Sequence, residues 1–270
     1  MASRKRVANT APGPRPVAGG SAADRALFVL RDNFDMRALT SLPDFLLVVE
    51  GETDRGYLQR AADQLRDETG EDMLEVPGGL RQGPHSRIVI SVAKEPGNPL
   101  SGGTERMVDL ARDILGEVFT HEVLRVMFLF DHDYAGRKAA DQIAKYGYRR
   151  GIHSLTHDPA LHPNACVAPE DGDPPVVIED LLPLSLQQRF FDQGGASCDV
   201  IYRSGVVKRY KWVPPSKGQL KRFVVGNASS VDLAPLRAVL ALVRQAFGFP
   251  PSEQKPIPLS GSSKLSQEAS

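Results

Sequence analysis

Three continuous apolar runs of this chain each end in acidic residues. Residues 45–49 precede Glu50, residues 126–130 precede Asp131 and Asp133, and residues 176–178 precede Glu179. Such runs are typical of strands covered on both faces, and the carboxyl ends of parallel strands meet at one edge of a sheet. Carboxylates gathered there repel one another unless a cation is present. Because Mg²⁺ binds through a few carboxylates and keeps other positions for water and phosphate oxygens, the pattern predicts a divalent-metal site.

Each acid also has a simpler interpretation. A single Asp or Glu after a strand often caps the helix that follows, and Asp54, in the first turn of a helix, would interact favourably with the helix dipole by ~0.3–1 kcal/mol. The coincidence of four acids at the ends of three apolar runs favours the metal site over independent capping. His132, between the two aspartates, is expected to point to the opposite face of its strand end rather than to the metal.

Alternating strands and helices are expected to position these acids. After Glu50, Gly51 permits a sharp exit, and an apolar helical stripe follows at Tyr57, Leu58, Ala61, Ala62 and Leu65. Further helices are expected over residues 107–118 and 135–146, and shorter strands over 73–76 and 152–155. Residues 80–102 carry no clear pattern. The alternation predicts an α/β domain with a mainly parallel sheet and helices on both faces.

The last third of the chain has a different pattern. Residues 200–213 indicate a β-hairpin, and two helices are expected after it, the second over residues 233–247. We therefore divide the chain into an α/β domain over residues 23–183 and a hairpin and helical extension over 184–249. Residues 1–22, with four basic side chains among Pro, Gly and Ala, and residues 250–270 are expected to be disordered tails.

Composition excludes several classes of protein. The 270 residues are 41% hydrophobic and 24% charged with zero formal net charge, as in ordinary globular proteins. Cys166 and Cys198 are too isolated for a zinc module and are expected to be free thiols. The sequence has neither the apolar core of a secretion signal nor the ~18 apolar residues of a membrane helix. The chain is therefore expected in the cytoplasm, with no membrane partner.

Positive charge is concentrated locally despite the neutral total. Between Val200 and Val231 there is no Asp or Glu, and the basic residues are Arg203, Lys208, Arg209, Lys211, Lys217, Lys221 and Arg222. Tyr202, Tyr210 and Trp212 are interleaved and would offer stacking faces. We expect nucleic-acid contacts from Lys208, Arg209, Lys211 and Arg222, with Arg137 as a further contact. The alternative is a solvated hairpin face without a ligand.

Two segments resemble the Toprim family. Val-Glu-Gly-Glu-Thr-Asp at residues 49–54 is followed by Phe-Asp-His-Asp-Tyr-Ala-Gly-Arg at residues 130–137, similar to the Toprim pattern of a strand-end glutamate with glycine and a later D-x-D-x-x-G. The resemblance covers roughly residues 44–182. It implies that Glu50 is a general acid/base and that Asp131 and Asp133 hold Mg²⁺, which neutralises developing charge on a phosphate.

Further positions resemble Toprim nucleases of the overcoming-lysogenization-defect type. Glu50 and Asp54 have the E-x-x-x-D spacing of those proteins, which implies two metal ions, with Mn²⁺ as a substitute for Mg²⁺. Glu179 resembles a later acidic position, with Asp180 as the alternative. Those nucleases also place a lysine late in the chain to stabilise the transition state, and both Lys217 and Lys221 are candidates here.

The resemblance predicts a small metal-dependent nuclease that cleaves DNA or RNA. A topoisomerase would need a tyrosine-bearing partner domain, and a primase would normally carry a zinc module. By analogy with the same nucleases, an ATPase partner and a role in defence against phage are expected. Two alternatives stay open: a Toprim module that binds nucleic acid or protein without cutting it, and a D-x-D glycosyltransferase, which would leave Glu50-Gly51 unexplained.

Overall fold

The computed structural model describes residues 20–77, 85–98, 102–159, 176–194, 197–203 and 206–249. The helices are α1 (Ala22–Phe28), continued by a π-helical turn over Val29–Asn33, α2 (Glu52–Thr69), α3 (Gly103–His121), α4 (Tyr134–Ala144), α5 (Leu184–Asp192), α6 (Ser216–Asn227) and α7 (Ala234–Ala246). The strands are β1 (Phe45–Val49), β2 (Glu75–Pro77), β3 (His85–Val92), β4 (Arg125–Phe130), β5 (Ser154–Thr156), β6 (Cys198–Arg203) and β7 (Val206–Trp212).

Five strands form one sheet in the order β2-β3-β1-β4-β5. β1 is parallel to both of its neighbours, β4 is parallel to β5, and only β2 runs antiparallel. β6 and β7 form a separate antiparallel hairpin. The predicted α/β class, with a mainly parallel sheet flanked by helices and a C-terminal hairpin, is confirmed.

Both faces of the central strand are covered, which explains its continuous apolar sequence. Phe45, Leu47 and Val49 belong to one buried cluster, and Leu46 and Val48 belong to another. The first cluster includes residues of α2, α6 and α7, and the second includes residues of α1, α3 and α4. Successive side chains of a strand point to opposite faces of the sheet. Because helices cover both faces of β1, every residue of the strand packs against a helix and is apolar.

The hairpin and the last helices share a core with the α/β domain. Trp212 of β7, Leu220 of α6 and Leu240 of α7 are buried in the same cluster as Tyr57 and Leu58 of α2. The Trp212 indole N–H also donates to the Gln187 side-chain oxygen of α5 at 2.7 Å. The extension over 184–249 is thus fixed against the sheet-bearing part by apolar packing.

Three local features differ from the sequence pattern. The pattern did not predict α1, and the segment without a clear signal contains β3. Residues 176–178 do not form a sheet strand: Val176 makes a single bridge with His132, and Ile178–Leu181 is a 3-10 helix. The interpretation of Glu179 as a strand-end acid was therefore wrong.

The tails predicted over residues 1–22 and 250–270 lie almost entirely outside the described residues, and Cys166 does too. Cys198 is a free thiol. Within the described ranges, no helix has the length and apolar character needed to cross a membrane.

Candidate metal centre

Parallel pairing of β1 and β4 brings the first two acids together. Val49 is paired with Leu129 in the register of the two strands, so Glu50 and Asp131 leave the sheet at the same edge. The Asp131 backbone N–H donates to Glu50 Oε1 at 2.9 Å. This hydrogen bond fixes one oxygen of the Glu50 carboxylate beside the end of β4.

Asp54 reaches the same edge from the first turn of α2. Its side chain is buried although it carries no cationic ion-pair partner among the described residues. Possible ligand atoms of Asp54, Asp131 and His157 all lie within 4.8 Å of one another. Asp54 is thus part of the acidic group itself, beyond any interaction with the helix dipole.

His157 is the residue of this group that the sequence pattern missed. It directly follows β5, the strand beside β4, so the rule that selected the acids also applies to it. The expected strand over 152–155 ended too early, because β5 extends to Thr156. A histidine in a polar loop gives no signal until the strand order is known.

Asp133 has a second task at the start of α4. It is the N-cap residue of that helix, and its Oδ1 accepts a hydrogen bond from the Gly136 N–H at 2.8 Å. The capping interpretation therefore applies to Asp133. Its negative charge nevertheless acts on the site, since it adds to the rise in the pKa of Glu50 that burial causes.

Gly136 allows the first turn of α4 to lie close to the backbone of Asp131. A Cβ atom at this position would lie 2.1 Å from the carbonyl oxygen of Asp131, which is far inside van der Waals contact. The glycine of the D-x-D-x-x-G pattern is thus required by backbone packing rather than by an unusual dihedral angle.

The Glu179 carboxylate enters the site from the 3-10 helix. Glu179 is 2% exposed, and its Oε2 accepts a hydrogen bond from Lys217 Nζ of α6 at 3.1 Å. Its Oε1 is buried without a hydrogen-bond partner in the described part of the chain. The neighbouring Asp180, the alternative candidate, is instead ion-paired with Arg209 at 2.6 Å.

Burial makes these acids hard to ionise together. It raises the pKa of Glu50 to about 7, against the opposing effects of the Asp131 N–H and the Lys217 charge. Burial, followed by the charges of Glu179 and Glu50, raises the pKa of Asp54 to about 8. Burial, followed by the charges of Asp54, Glu50 and Glu179, raises the pKa of Asp131 well above its ordinary value. A perturbed cluster of this kind is typical of functional sites.

The two candidate lysines lie in different surroundings. Burial alone would lower the pKa of the Lys217 ammonium, but the nearby Glu179 carboxylate outweighs burial and raises it. The charges of Asp131 and Asp54 raise the same pKa further. Lys221 Nζ donates to the Glu52 carbonyl at 3.5 Å, and its aliphatic stem lies against Gly56. Lys217 is therefore the lysine that the structure brings to the acids.

The expected nucleic-acid contacts fall into separate groups. Arg209 is held by Asp180, and Arg137 donates to the His132 carbonyl at 3.4 Å. Lys211 and Arg222 are exposed. Lys208 belongs to β7, and its side chain lies outside the described ones. Among the predicted contact residues whose side chains are described, Lys211 and Arg222 face outward.

Orphaned oxygen atoms show that a cation would fit this site. Asp131 Oδ1, Glu179 Oε1 and Tyr57 Oη are all buried and lack a hydrogen-bond partner among the residues the structure describes. Burying such groups without a partner is costly. Asp54, Asp131, Glu179 and Glu50 together offer the oxygen ligands that Mg²⁺ or Mn²⁺ accepts.

Comparison of the chain with family models, curated protein sequences and solved structures finds no match.

Proposed function

We propose that the chain is a metal-dependent nuclease that hydrolyses phosphodiester bonds of DNA or RNA, with a Toprim-type site. The observation that carries the proposal is the convergence of Glu50, Asp54, Asp131 and Glu179 at one sheet edge with Lys217 beside them. Several buried carboxylates repel one another, and a single ammonium group cannot neutralise them all. A bound metal ion would offset the remaining repulsion, so the arrangement favours metal binding over other functions.

Glu50 is suited to proton transfer. Burial raises its pKa to about 7, and a general acid/base works best when its pKa lies near the working pH. One carboxylate oxygen is held by the Asp131 N–H, so the other is available to exchange a proton with water or a leaving oxygen.

The other residues have binding and electrostatic roles. Asp54, Asp131 and Glu179 would hold one or two divalent ions, and Asp133 would contribute through the oxygen that does not cap α4. When bound, a divalent cation supplies Lewis-acid stabilisation of charge on the phosphate. The Lys217 ammonium would stabilise the same developing charge. With these acids alone as ligands, Mg²⁺ is the expected ion, with Mn²⁺ able to replace it.

The cellular setting rests on the resemblance of residues 49–54 and 130–137 to nucleases of the overcoming-lysogenization-defect type. It leads us to include an ATPase partner and anti-phage defence in the proposal. Co-purification with an ATPase encoded nearby is the measurement that checks this part.

The test is cleavage by the purified chain of labelled plasmid, single-stranded DNA, transfer RNA and ribosomal RNA. We expect products with Mg²⁺ or Mn²⁺ and none with excess EDTA. Asp131→Asn and Asp133→Asn should abolish cleavage while the fold is kept, and Glu50→Gln should lower the single-turnover rate by ~10²- to 10⁴-fold. Asp67→Asn, on the exposed face of α2, is the matched control.

Cleavage that persists in EDTA would contradict the proposal. A Glu50→Gln rate equal to that of the unmodified chain would exclude the proton-transfer role. Metal binding without cleavage of any substrate would favour a non-catalytic binding module, and turnover of a nucleotide sugar would favour the glycosyltransferase alternative.

A further inference from the structure

A buried histidine stands directly beside two of the acids. His157 is 2% exposed, and its backbone N–H donates to the Phe130 carbonyl of β4 at 3.1 Å. Because Phe130 is paired with Thr156 in the sheet, the residues that follow them, Asp131 and His157, leave the sheet side by side. Both positions are therefore fixed by strand pairing.

The distance between the two side chains does not correspond to a strong hydrogen bond. His157 Nε2 lies 3.6 Å from Asp131 Oδ1, whereas N–H···O bonds are normally 2.7–3.2 Å long. A ligand atom of Asp54 lies in the same group, in which all atoms are within 4.8 Å of one another. The 3.6 Å separation of His157 Nε2 and Asp131 Oδ1 is that of two atoms that share one central ion, since metal–ligand bonds of ~2.0–2.2 Å place neighbouring ligands about 3–4 Å apart.

Independent observations around this group also point to a ligand. The hydroxyl of Tyr57, which is fully buried, has no hydrogen-bond partner in the described ranges, and Glu179 Oε1 lacks one as well. The charges of Glu179 and Asp54 both act on the Tyr57 hydroxyl, so both carboxylates lie near it. Buried polar atoms are normally satisfied by protein, water or an ion.

We propose that His157 is a metal ligand together with Asp54 and Asp131, and that this mixed nitrogen and oxygen site binds Mn²⁺ in preference to Mg²⁺. The inference deepens the proposed function, in which these aspartates hold the metal. Mg²⁺ takes oxygen ligands almost exclusively, whereas imidazole suits first-row transition metals, and Mn²⁺ also accepts carboxylates. The histidine would thus set the metal preference of a site that acids alone would make suitable for Mg²⁺.

Mn²⁺ itself is the probe for the test. Pulsed electron paramagnetic resonance of Mn²⁺ bound to the full chain detects directly coordinated nitrogen by its hyperfine coupling. We expect a ¹⁴N coupling that changes to the ¹⁵N pattern when the chain is labelled with [¹⁵N]histidine. This measurement needs no substitution, so it stays decisive even where a variant at position 157 fails to fold.

Variants then assign the nitrogen. His157→Asn should remove the coupling and weaken Mn²⁺ binding by about tenfold or more, the scale seen even for lost outer-sphere partners of a metal. Mg²⁺ affinity should change by less than about threefold, because Mg²⁺ makes little use of nitrogen ligands. His157→Asp, which supplies an oxygen ligand, should shift the preference towards Mg²⁺. His132→Asn and His153→Asn are the controls and should keep the coupling.

The outcomes separate this inference from the proposed nuclease. Bound Mn²⁺ without nitrogen coupling, or coupling that disappears in His132→Asn instead, overturns the role of His157 and leaves the nuclease proposal intact. Histidine coupling with no cleavage of any nucleic acid supports the ligand role and overturns the nuclease. Absence of Mn²⁺ binding overturns the ligand role of His157, whereas the nuclease proposal falls only if cleavage with Mg²⁺ is absent as well.

Discussion

The acids of the site belong to two regions that treat charge differently. Glu179 and Asp180, on the 3-10 helix, are each ion-paired with a cation of the C-terminal extension, Lys217 and Arg209. Asp54 and Asp131, at the start of α2 and the end of β4, have no Lys or Arg ion pair in the part of the chain that the structure describes. The extension therefore pairs the acids of one region directly, whereas those of the other would need an external cation to offset their repulsion.

The pKa values follow this division. Burial raises the pKa of Asp180 to about 6, and the charge of Arg209 opposes the rise. For Asp54, burial and the added repulsion of Glu179 and Glu50 raise the pKa to about 8. Comparable burial thus raises the pKa of an aspartate further where the neighbouring charged groups are negative. The difference marks Asp54 and Asp131 as the acids that a metal would ionise.

The strongest test of this division removes an internal cation. Lys217→Met should destabilise the fold by ~2 kcal/mol, below the ~3–5 kcal/mol of a fully buried pair, because the lysine side chain is 37% exposed. It should also reduce cleavage, since the ammonium faces the acids. Urea unfolding and single-turnover kinetics measure the two effects.

Lys221→Met is the matched control in the same helix. Its ammonium contacts the Glu52 carbonyl rather than a site carboxylate, so we expect a smaller change in both measurements. Lys217→Arg should restore stability in part. Equal effects of the two methionine variants would contradict the assignment of Lys217 to the site.

The second prediction concerns pH in the absence of metal. The folded-state pKa values of Glu50 and Asp54, about 7 and about 8, are raised from ordinary values of 4.5 and 3.8. At pH values between the ordinary and the raised pKa of each group, the folded chain binds more protons than the unfolded chain. The free energy of unfolding therefore falls as pH rises through this range. This contribution is fully present below about pH 4 and is lost as pH rises through 7–8.

Thermal unfolding between pH 5 and pH 9 in EDTA measures this slope. Saturating Mn²⁺ should flatten or reverse it, because the cation favours the ionised carboxylates and its binding strengthens as they lose protons. Asp54→Asn should reduce the slope in EDTA. A slope that is the same with and without metal would remove the distinction between the two regions.

The smallest expected effect comes from replacing basic residues of the hairpin and α6. Joint replacement of Lys208, Arg209 and Lys211 by Ala should weaken nucleic-acid binding and flatten its salt dependence, with metal affinity almost unchanged. The structure sharpens this prediction. Lys211→Ala and Arg222→Ala should each lower the salt slope by about one, whereas Arg209→Ala should mainly destabilise the fold by leaving Asp180 unpaired.

Binding titrations at several salt concentrations, together with unfolding curves, distinguish these effects. If Lys211→Ala and Arg222→Ala bind with an unchanged salt slope, the outward cations form only a solvated face. Arg137 and Lys138 at the start of α4 are then the next residues to replace.

The sheet and its acidic edge could be predicted because their signals are local. A strand buried on both faces must be apolar throughout, as in residues 45–49 and 126–130, and the acid that ends such a run is visible in sequence. β3 was missed because its continuous apolar run, residues 88–90, is only three residues long and lies between Arg87 and Ser91. α1 was missed because its few buried residues gain their meaning only from the sheet face that they cover.

Partners in space were beyond the sequence pattern. Asp133 and Asp131 are equivalent in the D-x-D motif, yet only the former caps α4. Arg209 looked like an outward cation of the hairpin, but Asp180 lies 29 positions away in the chain and binds it. His157 became a site residue through the pairing of β5 with β4. Each of these roles depends on which elements are neighbours.

The Lys217–Glu179 contact also has a consequence for the order in which the site is made. Lys217 follows Glu179 by 38 positions and Glu50 by far more, and α6 is held in place by packing against α2. During synthesis the strand-end acids therefore emerge well before the ammonium that neutralises one of their neighbours. A growing chain would carry an incomplete site until its C-terminal helices have docked, so any cutting activity would be delayed until synthesis of the fold is almost finished.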